Sequence, residues 1–313
     1  MNPHLKGLAR LGLSTGLLLL LFLLLDAGEI ARQLRSLDLV WALAGVLVLI
    51  VQVLLLTWRW RFTAQRLQLP MSYRHALREY YLGVFLNQLL PGGILGDISR
   101  AWRHARASAR TRTAVHAVVL ERIGVQAAMF AMALASLLAI PALRPTGTLE
   151  HRFGIGLLAL AGLSAATWLL YRRSPRLRAV IAEFGADARR TFLPAPMALT
   201  QVGSAVLVVT ANLAGYIAAV RALGLEIPLD LLLPLIAPVL LMMMLPISIA
   251  GWGVREGAAA LLWSLAGLDP AEAVAAAIVF GLLFLLAALP GGLALAGGLM
   301  QQTRDRTTRR RPA

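Results

Sequence analysis

Apolar residues run in blocks along the chain, far longer than the few positions per turn that one buried helix face requires. Six blocks are long enough to cross a bilayer as helices: Leu8–Leu25, Leu39–Thr57, Ala114–Ile140, Phe153–Tyr171, Ala198–Val220 and Ala273–Met300. A seventh, Leu231–Ala250, carries Pro234, Pro238 and Pro246, so it either spans or dips in and returns. The segment 85–102, "FLNQLLPGGILGDISRAW", starts apolar, breaks at Pro91, Gly92 and Gly93, and then presents Asp97 and Arg100. Proline and paired glycines end a helix, and charge directly after the break calls for a cavity or a partner.

Basic residues settle the expected topology. With the N-terminus inside, 23 of the 30 Lys and Arg fall in segments on one side, in blocks between the apolar runs. The positive-inside rule then predicts both termini in the cytoplasm. Arginine blocks at 59–78 and 100–112 lie on either side of the 82–98 segment, so a full crossing there would expose one block outside. The Pro91-Gly92-Gly93 break is therefore read as the turn of a re-entrant hairpin, a backbone that protein or a wet cavity must cover. Ser72–Tyr81, with Arg74 and Arg78 beside three tyrosines, reads as a short interfacial helix. Asp269-Pro270-Ala271-Glu272 reads as a helix start. Gln301–Ala313 reads as a disordered basic tail at the inner leaflet.

A second break, "LMMMLPISIAGWGVREGAA" at 241–259, repeats the spacing of the first. Pro91, Gly96 and Arg100 match Pro246, Gly251 and Arg255 in a P-x4-G-x3-R pattern. An odd number of spans between the copies makes the two hairpins open on opposite faces, as in inverted-repeat transporters. The expected fold is all-α: a polytopic transmembrane helical bundle with two re-entrant or broken hairpins in an inverted repeat. It forms one domain over 1–300, with halves at about 39–140 and 198–300, and a tail at 301–313.

Composition agrees. The 313 residues are 59% hydrophobic with a mean hydropathy of +0.74, beyond what a soluble domain can bury. The net charge of +15 is read as topology signal and lipid-headgroup contact, not nucleic-acid binding. Cysteine is absent, which excludes disulfides and thiolate chemistry, and five scattered histidines lack metal-ligand spacing. No metal or cofactor is expected. "GWGVREG" has the wrong spacing for a dinucleotide loop, and no nucleophile elbow or phosphate loop is present.

The candidate chemistry is charge at membrane depth. Asp97, Arg100, Glu121, Arg122, Arg255 and Glu256 all sit beside or inside apolar runs. In the plainer reading they only pair, Asp97 with Arg100 or Glu121 with Arg255. In the functional reading they line a polar cavity for a lipid headgroup. Arg100 and Arg255 are then the phosphate contacts, because a guanidinium binds phosphate through two parallel hydrogen bonds. Asp97, Glu121 and Glu256 balance charge or contact a cationic or hydroxylated headgroup, and Asn87 and Gln88 add neutral hydrogen bonds. Gly92, Gly93, Gly96, Gly251 and Gly253 allow close approach or unusual backbone angles.

"NQLLPGGILGDISRAW", "VVLERIG" and "LPISIAGWGVREGA", in this order, resemble the membrane region of the lysylphosphatidylglycerol synthase and flippase-like family. The matching residues are Asn87, Pro91, Gly96, Asp97, Arg100, Glu121, Arg122, Pro246, Gly251, Gly253, Arg255, Glu256 and Gly257. The resemblance implies a bacterial-type inner-membrane protein that moves, or helps move, a lipid between leaflets, without the fused aminoacyltransferase module. Membrane lipids, anionic or lipid-linked, are the expected partners. The alternatives are an accessory subunit beside a lipid-modifying enzyme, and an integral membrane enzyme with Asp97 or Glu121 as base.

Overall fold

The computed structural model describes residues 37–90, 93–139, 174–193, 195–243 and 250–309. The predicted spans Leu8–Leu25 and Phe153–Tyr171 lie outside the described residues, as do Pro91, Gly92 and Pro246. The described residues form nine helices and no strand: α1 Leu39–Arg66, α2 Tyr73–Leu89, α3 Leu95–Ser108, α4 Thr111–Ala139, α5 Pro175–Phe192, α6 Ala195–Ala222, α7 Leu229–Met242, α8 Val254–Leu265 and α9 Pro270–Arg309. Four of them, α1, α4, α6 and α9, are long and apolar enough to cross a membrane. Their ends are set by short polar side chains. Asp38 accepts from the amides of Val40 (2.7 Å) and Trp41 (3.3 Å), Ser174 caps α5 ahead of Pro175, and Asp269 accepts from the Ala271 amide at 2.7 Å, as its sequence predicts.

Small residues let the helices close up. Gly45 on α1 and Gly215 on α6 leave room for Leu49 and Ala218, so these two spans meet along much of their length. At Gly291, α9 approaches so near to α2 that any side chain would strike the Tyr81 carbonyl. One apolar core lies among α1, α4, α6, α7, α8 and α9, around Tyr216, Phe280 and Trp263. A second gathers α1, α2, α3 and α4 around Trp60, Tyr80 and Leu120.

Two sequence expectations are corrected. Ser72–Tyr81 is not a separate interfacial helix. Ser72 caps α2, which continues to Leu89, and Tyr80 and Tyr81 are buried rather than at a surface. The aromatic side chains have partners inside the bundle, and an extended apolar run follows them. The basic tail is helical through Arg309, continuing α9 past Pro290, because its arginines and glutamines are good helix formers. Part of Leu231–Ala250 is described. Its helix is α7, which stops at Met242 after 14 residues, about 21 Å and short of the roughly 30 Å hydrocarbon core.

The chain folds back after α2. Gly96 packs on Gly83, and Arg103 on α3 bonds Glu79 on α2, so α2 and α3 form an antiparallel hairpin. A Cβ on Gly96 would collide with the Gly83 carbonyl, a backbone atom that cannot swing away. Gly96→Val is therefore expected to cost about 1–3 kcal/mol, the range for overpacking. The check is a lowered melting temperature of the detergent-purified protein. Gly203→Ala, with open space around it on α6, should leave melting unchanged or slightly raised.

Candidate functional site

Both breaks deliver an arginine into a buried box. After the first, α3 starts at Leu95 and places Arg100 one and a half turns in. Its guanidinium stacks on Trp60 (4.8 Å) and Tyr80 (4.3 Å). Its Nη2 donates to Glu121 Oε2 at 2.7 Å and its Nε to Asp97 Oδ1 at 3.0 Å. Tyr80 Oη also donates to Glu121, at 3.3 Å. Arg100 is 1% exposed and Glu121 is 0% exposed, so the pair is fully withdrawn from solvent.

After the second break, Ala250, Gly251 and Gly253 all have positive φ, at 49°, 82° and 83°. That left-handed run turns the chain into α8, and glycine adopts it without a Cβ penalty. Glu256 accepts from the Gly253 amide at 2.6 Å and from Arg255. Arg255 also lies 4.8 Å from the Trp252 ring and 5.8 Å from Phe280. A Cβ at Gly281 on α9 would fall on its guanidinium. The two copies of the repeat thus reach similar ends by different local routes: Gly96 is helical and Arg100 lies mid-helix, whereas Gly251 is in a turn and Arg255 opens its helix.

The remaining predicted residues surround Asp97. Its Oδ1 also accepts from Arg122 Nη2 at 2.9 Å, and its Oδ2 accepts from Asn87 Nδ2 at 3.2 Å. Asn87 Oδ1 in turn receives the Gly96 amide at 2.7 Å, which fixes the start of α3 to the end of α2. Asp97, Arg100, Glu121, Arg122 and Asn87 are therefore one network. Arg255 and Glu256 are a separate pair, and the expected Glu121–Arg255 bond is not made: each acid is claimed by a nearer guanidinium.

A cavity of about 730 Å³ lies between the breaks. Gly93, Ile94 and Asp97 from the first and Met243, Ala250 and Gly251 from the second contribute to one wall. Asn87, Gln88 and Arg122 face it, together with Gln52 on α1, Gln126 on α4 and Asn212 on α6. Arg100, Glu121, Arg255 and Glu256 do not line it. The expected phosphate contacts, Arg100 and Arg255, are thus held behind the wall by their carboxylates and rings. The guanidinium on the wall is that of Arg122, whose side chain is 32% exposed.

Sequence reading missed four residues. Gln52, Gln126 and Asn212 are isolated amides in apolar runs, the signal that would have found them. Arg59 was counted in a cytoplasmic block but is fully buried on α1, donating to the Gln201 carbonyl at 2.6 Å and to Ser204. The spacing of Gln52, Arg59 and Thr63 marks one polar stripe along α1. Among the described residues no group of His, Asp and Glu could hold a metal ion.

The fold and site define a helical membrane protein with a charged, cavity-forming centre inside its bundle. The chain belongs to the family described as lysylphosphatidylglycerol synthase TM region, whose model matches residues 7–291, which ties it to the metabolism or flipping of membrane lipids. No curated protein and no solved structure matches the chain.

Removing Arg100 would leave Glu121 buried and charged with only a tyrosine hydroxyl for company. Arg100→Gln is expected to cost about 3–5 kcal/mol, the range for breaking a buried pair, and to lower yield and melting temperature sharply. Arg122→Gln, at the partly exposed cavity wall, should cost clearly less in the same melting experiment. Equal losses would contradict the division between a holding arginine and a cavity-facing one.

Proposed function

We propose that this protein is a membrane lipid transporter of the flippase type, carrying a phospholipid or lipid-linked headgroup between leaflets without altering it. One observation carries the reading: the cavity combines a set of polar groups with an exposed apolar flank. Asp97, Arg122 and the amides form the polar wall. Ile98 and Trp102 on α3, with Val115, Val119 and Ile123 on α4, line the cavity and are exposed rather than packed in the core. A headgroup can sit against the first while acyl chains lie along the second. A volume of about 730 Å³ suits a headgroup, within the range of roughly 300–1,000 Å³ common for small-ligand sites.

In this reading the α2–α3 hairpin and the α7–α8 break dip from opposite faces as an inverted repeat, so that the cavity opens alternately to each leaflet. The protein sits in a bacterial-type inner membrane with both termini cytoplasmic, as the basic blocks imply. An enzymatic role for Asp97 or Glu121 draws less support. The carboxylate oxygens of both already accept from guanidiniums, so neither is free to take a substrate proton. An accessory anchor would need no such cavity.

Purified protein in liposomes is expected to speed the transfer of labelled phospholipid between leaflets. Val119→Trp, which narrows the apolar side, and Arg122→Ala should each slow transfer about tenfold or more, an estimate on the scale of one lost strong contact, while the protein still elutes as a folded species. Transfer no faster than in empty liposomes would defeat the transport reading. A chemically altered lipid product would replace it with the enzymatic one.

A further inference from the structure

The hydrogen-bonding groups on the cavity wall are unevenly used, and their spare capacity describes a ligand. Among the described lining residues, Asp97 is the one carboxylate and Arg122 the one cation. Asp97 is almost saturated, with Arg100 and Arg122 on Oδ1 and Asn87 on Oδ2. Glu121 and Glu256 lie behind the wall and are engaged by Arg100 and Arg255. No described carboxylate on the cavity lining is left free to receive a cationic group.

Arg122 is the opposite case. A guanidinium carries five N–H donors, and among the described residues Asp97 is the sole acceptor for this one. Its Nε is buried without a partner. Spare donors on a planar cation match an acceptor-only anion, and a phosphate fits them best. The remaining polar wall is neutral. Gln52, Gln126 and Asn212 come from three helices, and Gln52, 3% exposed, has an amide oxygen buried without a donor. A hydroxyl both donates and accepts, so it satisfies that amide whichever way its end is turned.

We propose that the cavity selects a lipid whose headgroup joins a phosphodiester to free hydroxyls and carries no ammonium group. The phosphate lies on Arg122 and the hydroxyls meet the amides of Gln52, Gln126 and Asn212. This rests on the transport reading for the ligand's being a lipid, and adds which headgroup chemistry the site takes. An aminoacylated or ethanolamine headgroup would bring an ammonium to a wall whose only carboxylate is already held.

The test is binding, measured apart from transport. The full chain in neutral detergent is titrated with phosphatidylglycerol, phosphatidylethanolamine, lysylphosphatidylglycerol and soluble glycerol phosphate, and occupancy is read by native mass spectrometry. Phosphatidylglycerol should bind about tenfold more tightly than either amine-bearing lipid, and Arg122→Gln and Gln52→Leu should each weaken it about fivefold or more, a difference on the scale of one hydrogen-bonded contact. Arg122→Lys, which keeps the charge but loses the planar donor edge, should fall between.

Equal or tighter binding of an amine-bearing lipid by the unaltered chain overturns the proposal, whatever the variants do. So does unchanged phosphatidylglycerol affinity in both Arg122→Gln and Gln52→Leu. Glycerol phosphate binding as well as the lipid would make the ligand water-soluble and remove the lipid from it. Selective binding without transfer between leaflets would defeat the transport reading and leave this one standing. Transfer with no preference for the hydroxylated anion would do the reverse.

Discussion

The ion pair between Arg100 and Glu121 is the constraint around which this end of the molecule is arranged. Neither group can sit alone in a bundle surrounded by lipid, where an uncompensated charge costs several kcal/mol. Each therefore recruits a shell. Trp60 from α1 and Tyr80 from α2 cover the guanidinium faces, and Asp97 takes the Nε edge. That shell draws on α1, α2, α3 and α4, so the pair pins the hairpin to two of the spanning helices. The same requirement is met again at Arg255, with Glu256, Trp252 and Phe280.

Holding these charges tightly has a consequence for the cavity. A side chain enclosed away from the cavity cannot also bind a ligand there, so burial sorts the arginines into two kinds. Arg100 and Arg255 stiffen the wall. Arg122 shares Asp97 with Arg100, is partly exposed at the cavity, and has no second acceptor among the described residues. Asp97 is thus the joint between a rigid element and an available one. Asn87 braces it by bonding both the carboxylate and the backbone of α3.

Much of the fold was legible because membrane burial writes long apolar blocks: the starts of α1, α4, α6 and α9 fall close to them, while α1 and α9 run on past Thr57 and Met300 into polar sequence. The interruption between α2 and α3 was legible for the same reason: proline, glycine and charge are costly there. Two things were not legible. The length of α2 depends on Tyr80 and Tyr81 finding partners across the bundle, which the local run of arginines and tyrosines disguises as an interface. The division of labour among the arginines depends on which carboxylate lies nearest in space. Sequence placed Glu121 and Arg122 side by side, and the helical turn of about 100° between neighbours sends one to Arg100 and the other to the cavity.

Arg59 shows how far such a reading can extend. It has no carboxylate partner among the described residues, only the Gln201 carbonyl and Ser204 from α6, and its Nε and Nη2 are unpartnered. Gly124 on α4 is the residue that admits it, since a side chain there would meet Nη2. Asp97 and Glu121 balance Arg100 and Arg122, so Arg59 adds one positive charge that this core does not neutralise. In a low-dielectric bundle that excess reaches further than it would in water. It lowers the cost of bringing an anion to the neighbouring cavity wall without touching the ligand itself, and it raises the cost of bringing a cation by the same interaction.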